Sequence, residues 1–200
     1  MQIIIIIFLF LIILLLLYLL IIFLLFAFDA FLELPYVATR RDKISTIIKL
    51  ASIKKGDTVI DLGSGDGRLL FAAAKKGAHA IGYELNPLLV MFTRFKAGLL
   101  GYSSSERQRV EKSLIISSRQ ARTIKKGTIT IKRQDLWEAD LSSANVIFVY
   151  GRAKTMPRFE KFVYQNAKRG ARIIVNTDKT IPFPTKNPTK AENGFYLYKV

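Results

Sequence analysis

Val59-Ile60-Asp61-Leu62-Gly63-Ser64-Gly65-Asp66-Gly67-Arg68 is an apolar run that breaks into a glycine-rich turn and continues as a helix. Thr58 to Leu62 reads as a buried strand, and Arg68 to Lys76 as the helix behind it, with Gly77 placed to end it. Glycines at 63, 65 and 67 allow positive φ and carry no Cβ, so a ligand can lie against the backbone at the strand's carboxyl end. Ser64 stands inside the same turn. The helix N-terminus behind it favours a negative group such as a carboxylate.

Spacing narrows the ligand. A dinucleotide-binding turn needs G-x-G-x-x-G or A, but after Gly63 and Gly65 the last position is Arg68, and no Gly-Lys-Ser/Thr of a phosphate loop occurs. Asp61, just before the turn, is positioned to face a cationic group, or else to cap the turn. Glu84 ends the second strand, His79 to Leu85, 21 residues after Gly63. An acid there can accept hydrogen bonds from both hydroxyls of a ribose. Asn86 is a good N-cap and Pro87 a good first residue for a helix reaching about Leu100. Asp135-Leu136 follows a third strand, Thr128 to Arg133, where an Asp can take an adenine amino group and a Leu can pack on the ring, or the pair can simply begin a loop. Trp137 reads as a core or rim aromatic.

Farther along, Val146 to Tyr150 reads as a fourth, fully apolar strand, followed by a helix rich in Phe159, Phe162 and Val163 and by a fifth strand, Ala171 to Asn176. Strands alternating with helices imply an α/β, Rossmann-like, doubly wound and mostly parallel sheet with helices on both faces. Phe195 to Val200 is expected to add a closing antiparallel strand at the sheet edge. Before Gly56-Asp57, Ile44, Ile47, Ile48 and Ala51 recur at the spacing of an amphipathic helix starting at Arg41. Arg107 to Arg133 holds nine basic residues and one acid, Glu111, and reads as a solvated insertion or as a headgroup or phosphate contact.

Ile3 to Phe28 is an unbroken run of 26 apolar residues, longer than the ~20 residues that cross a bilayer as a helix. It lacks the basic n-region and small-residue cleavage site of a signal peptide, so it reads as a retained transmembrane anchor contacting lipid through residues 3–28. Arg40, Arg41 and Lys43 follow it, whereas no Lys or Arg precedes it, so the positive-inside tendency puts the following domain in the cytoplasm. The expected organisation is an anchor over 1–28, a juxtamembrane linker over 29–40 whose length keeps the domain close to the bilayer, and a catalytic domain over 41–200.

All 31 Lys and Arg and all 15 Asp and Glu lie after residue 28, so the formal charge of +16 belongs to the part beyond the anchor. That charge suits anionic lipid, the favoured partner, or nucleic acid. The chain has no Cys and one His, His79, which excludes thiolate chemistry and a zinc site; no metal is expected.

At these residues the chain resembles the class I, seven-strand methyltransferases. Within them it is similar to the small lysine methyltransferase family that includes the mitochondrial enzymes modifying the adenine nucleotide translocase and the ATP synthase c subunit. The matching pieces are the apolar span, Pro35-Tyr36-Val37, the stretch Asp61 to Arg68, Gly82-Tyr83-Glu84-Leu85-Asn86-Pro87 and Asp135-Leu136-Trp137. The resemblance implies S-adenosyl-L-methionine as cofactor, held by Asp61, Gly63, Ser64, Gly65, Gly67, Glu84, Asn86, Asp135 and Leu136. It also implies N-methylation of lysine in a membrane-associated protein. Tyr150 and Tyr36 are the candidates for lining the acceptor channel. The long basic stretch and Tyr150-Gly151-Arg152 depart from the family pattern. An RNA or lipid methyltransferase, and a non-catalytic membrane scaffold that kept the fold, remain the other readings.

Overall fold

The structure is a computed structural model that describes residues 2–31, 39–103, 127–177 and 182–200. Two compact units divide the chain, one ending at Tyr36 and one running from Val37 to Val200. The first contains a single described helix, α1 (Gln2–Phe31), of which Gln2–Leu24 is long and apolar enough to cross a membrane.

The second unit is built on a seven-stranded sheet ordered β3-β2-β1-β4-β5-β7-β6. Its strands are β1 (Thr58–Leu62), β2 (His79–Glu84), β3 (Thr128–Arg133), β4 (Val146–Gly151), β5 (Arg172–Thr177), β6 (Lys190–Glu192) and β7 (Phe195–Lys199). The first five pair in parallel, whereas β7 runs antiparallel to both β5 and β6. The connecting helices are α2 (Arg41–Ala51), α3 (Arg68–Lys75), α4 (Pro87–Leu99) and α5 (Met156–Asn166).

Most sequence-read elements stand where expected, with ends shifted by about a residue. The tail is the exception. The strand at Phe195–Lys199 is antiparallel, but it does not close the edge: the three residues of β6 lie outside it. Lys190-Ala191-Glu192 offers no apolar alternation, so only the pairing with β7 reveals it.

One continuous core joins Ile47, Ile48 and Leu50 of α2 and Leu70, Phe71 and Ala74 of α3 to Val59, Ala80, Val146, Phe148 and Ile174 of the sheet. The alternate strand residues Ile60, Leu62, Ile147, Val149, Ile173 and Val175 are equally buried but outside that cluster, as are Phe159 and Val163 of α5. Side chains alternate across a strand, which assigns them to the opposite face. Asn145 splices the strand starts: its Oδ1 accepts the Thr58 N–H at 2.9 Å and its own N–H bonds the Thr58 carbonyl at 2.8 Å.

From β1 the chain steps outward through β2 to β3, then returns to place β4 on the other side of β1. This reversal opens a crevice at the carboxyl ends of β1 and β4, where open α/β sheets take their ligands. The register pairs Leu62 with both Tyr83 and Val149. Gly63, Glu84 and Tyr150, each one residue on, therefore stand level along that edge.

Candidate functional site

The turn after β1 is fixed from two sides. Gly63 and Ser64 both donate their N–H to the Tyr83 carbonyl at 3.0 Å, and Gly65 donates to Glu84 Oε2 at 2.8 Å. The other Glu84 oxygen, Oε1, accepts the Asn86 N–H at 2.9 Å. A single carboxylate thus clamps the glycine turn to the start of α4, and each of its oxygens keeps a lone pair for another donor.

The glycines do different jobs. Gly63 has φ +87°, and among the described residues a Cβ built on it would find only Leu136 Cδ2, at 3.9 Å, within 4 Å. The space in front of it is open. At Gly67, with φ +73°, a Cβ would lie 2.4 Å from Thr93 Cγ2 and 3.3 Å from Phe71. The chain itself fills that space. Thr93, fully buried on α4, also donates from Oγ1 to the Gly65 carbonyl at 3.4 Å. This brace was missed in the sequence, because a threonine inside a helix 28 residues away carries no signal of its target.

Asp61 is buried, and no described group donates a hydrogen bond to its carboxylate. Burial first, and then the nearby carboxylates of Glu84 and Asp66, push its pKa well above the ordinary value. Such a group gains from a cationic partner. Asp66 goes the other way. Although burial opposes it, hydrogen bonds and charge from Arg68 hold Asp66 below the usual carboxylate range. Arg68 Nε bonds Asp66 Oδ1 at 2.8 Å, its Nη2 pairs with Oδ2 at 2.5 Å, and its Nη1 also reaches the Thr39 carbonyl.

The remaining candidates divide by where their polar atoms point. The Ser64 hydroxyl is buried against Gly82, where a Cβ would come within 2.5 Å of it, so this residue faces the crevice through its backbone. Asn86 Oδ1 caps α4, accepting from the N–H groups of Leu88 and Leu89 at 2.9 and 3.4 Å. Asp135 Oδ1 accepts the Trp137 N–H at 3.0 Å and so starts the 3₁₀ turn Leu136–Glu138, leaving Oδ2 over. That turn lays Leu136 beside Gly63.

Trp137 packs on Phe159 at 4.5 Å between ring centroids, under the Arg158 guanidinium at 3.9 Å. It is a rim aromatic, as read. Tyr150 is half-buried at the end of β4, paired in register with Asn176. Tyr36 lies outside the described residues, as does the basic stretch from 107 to 126.

No protein-family model matches the sequence. Among curated proteins, the chain is 32% identical over 155 residues to the lysine N-methyltransferase of the ATP synthase c subunit from Xenopus laevis, covering 78% of this chain and 57% of that one. It therefore spans little more than half the length of that relative. It is 24% identical over 174 residues to a protein-lysine N-methyltransferase of Saccharolobus islandicus, covering 84% of this chain and 94% of the other. Among solved structures, an RNA methyltransferase from Salinibacter ruber in complex with S-adenosyl-L-homocysteine superposes with a TM-score of 0.60 at 23% identity, over 81% of this chain and 91% of that one. The domain thus has the class I methyltransferase fold, in a chain whose sequence is similar to the lysine N-methyltransferases.

Proposed function

We propose that this chain is an S-adenosylmethionine-dependent methyltransferase that N-methylates lysine in a membrane-associated protein. The observation that carries the proposal is the convergence at one sheet edge of an open glycine turn, a buried Asp61 with no described donor and the clamped carboxylate of Glu84. The similarity to lysine N-methyltransferases supports the acceptor class.

The residues present fit the cofactor. Asp61 suits its ammonium, the spare lone pairs of Glu84 suit two ribose hydroxyls, and the open space before Gly63 admits a ligand against the backbone. Leu136 offers an apolar face and Asp135 Oδ2 an acceptor for the adenine end. Ser64, Gly65 and Gly67 shape the turn, and Asn86 holds α4 in place behind Glu84. When bound, S-adenosylmethionine supplies a methyl group already activated by its sulfonium.

The protein's own task is alignment and exclusion of water. A lysine ammonium, with an ordinary pKa near ~10.4, must lose its proton before it can attack, and a poorly hydrated channel lowers that pKa. Tyr150, level with Gly63 at the end of β4, lines this channel and offers an oxygen to orient the amine; Tyr36, outside the described residues, is the second candidate through the family resemblance alone. Residues 1–28 anchor the chain, 29–40 link it, and 41–200 form the catalytic domain on the cytoplasmic side. Tethering raises the effective concentration of the site toward membrane substrates.

The test is incubation of the full chain with radiolabelled S-adenosylmethionine and its own membrane fraction. Label lost to protease but not to nuclease or lipid extraction supports the proposal. Label lost to nuclease or lipid extraction instead identifies an RNA or lipid acceptor, and no incorporation at all favours a scaffold.

A further inference from the structure

The two faces of α4 are both apolar, yet the described residues bury only one. Val90, Thr93 and Ala97 turn inward and are buried. At 100° per residue, Leu88, Met91, Phe92, Phe95 and Leu99 fall within a single stripe about 100° wide on the opposite side. They are exposed, Met91 by 63%, Phe95 by 66% and Leu99 by 72%. Packing of the domain does not require this stripe, and contiguous exposed apolar patches mark interaction surfaces.

What borders the stripe indicates its partner. Arg94 and Lys96 fall on either side of it along the helix. The Lys96 ammonium lies 4.6 Å from the Phe71 ring centroid and 5.8 Å from that of Phe92. Beyond Lys96 and Leu100 a groove of about 980 Å³ runs between α2, α3 and the end of α4. Lys49, Lys75, Lys76 and Lys96 line it, and the one acid among its described lining residues, Asp66, is already paired with Arg68. An apolar stripe continued by a groove with surplus lysines is complementary to a surface that is apolar within and negative at its rim.

We propose that α4 is an interfacial helix: its Leu88–Leu99 stripe enters the headgroup and acyl boundary of a bilayer, while the neighbouring lysine groove receives anionic lipid headgroups. A bilayer is also the apolar phase that α1 is long and apolar enough to cross over Gln2–Leu24. This contact is separate from the span and does not depend on methyl transfer.

The test uses the full chain carrying Phe95→Trp, reconstituted into phosphatidylcholine vesicles with and without phosphatidylserine, with lipids brominated high on the acyl chain. The parent chain, whose only tryptophan is Trp137, supplies the background. Position 95 is exposed, so the substitution leaves the core untouched. The introduced indole should emit to the blue and lose about half its fluorescence to brominated lipid in the anionic vesicles. Added salt should weaken the quenching. Quenching that is absent, or equal with and without phosphatidylserine, overturns the proposal. A blue-shifted but unquenched indole also overturns it, because the stripe is then covered by protein, a second copy or another segment of the chain.

Discussion

Along the carboxyl edge of the sheet, the β1–β2 side carries glycines at positive φ, three carboxylates and a dense set of backbone hydrogen bonds, whereas the β4–β5 side carries Tyr150, Asn176 and Thr177 at the ends of apolar strands. The first arrangement is demanded by backbone geometry: a turn this tight tolerates few sequences, so its shape is written into residue types. The second places ordinary side chains beside an opening, and such residues fit many acceptors. A shared fold with enzymes of different acceptor class follows from that asymmetry.

The same contrast recurs inside the glycine turn and gives the largest expected effect. Gly67→Ala puts a methyl group into Thr93 at a positive φ. Overpacking plus left-handed strain should cost about 3–4 kcal/mol in denaturant unfolding. Undiminished stability would show that Thr93 does not brace the turn.

Gly63→Ala should behave differently, with about 1–2 kcal/mol of strain and a loss of affinity for S-adenosylhomocysteine of roughly 10- to 100-fold. If its affinity were unchanged while its stability fell as far as that of Gly67→Ala, the division of labour between the two glycines would be wrong.

A smaller effect concerns Asp61. Its folded pKa is raised, so the folded chain binds this proton more tightly than the unfolded chain does. Its contribution to stability therefore declines as pH rises from the unfolded value of ~3.9 through the folded one. Binding of a cationic ammonium needs the ionised carboxylate and has the opposite trend: cofactor affinity should climb as pH rises through the folded pKa, until the ligand's own amine titrates near ~8. Asp61→Asn should flatten that climb and lower affinity about tenfold at neutral pH, read by titration calorimetry across pH. An unaltered profile would move the ammonium elsewhere.

Tyr150→Phe carries the smallest effect, since one hydrogen bond of about 1 kcal/mol is about fivefold in rate. The kcat should fall by that amount with cofactor affinity intact. Equal turnover would remove Tyr150 from the acceptor side and sharpen the contrast further.

The legibility of the sequence follows the same division. The strands β1, β4 and β5 carry apolar runs and β3 alternates Thr with Ile, each bounded by glycine or polar breaks, so their positions could be read to within a residue. The Asn86 cap and the turn glycines could be read because each answers a local requirement of the backbone. What escaped depends on partners distant in sequence. β6 exists through its pairing with β7, Thr93 matters through Gly65 and Gly67, and the inward turn of the Ser64 hydroxyl follows from the missing side chain of Gly82. Asp135 and Leu136 can contact an adenine or begin a loop by their sequence position; Asp135 begins the 3₁₀ turn, and Leu136 lies beside Gly63.

The central claim is that the carboxylate of Glu84 and the open turn at Gly63 hold S-adenosylmethionine. Titration calorimetry of S-adenosylhomocysteine into the parent chain and Glu84→Ala, with thermal unfolding to confirm that both are folded, tests it most directly. Loss of two hydrogen bonds to a charged group, each worth about 1.5–3 kcal/mol, predicts a fall in affinity of at least about 100-fold. A folded variant that binds as tightly as the parent would contradict the account.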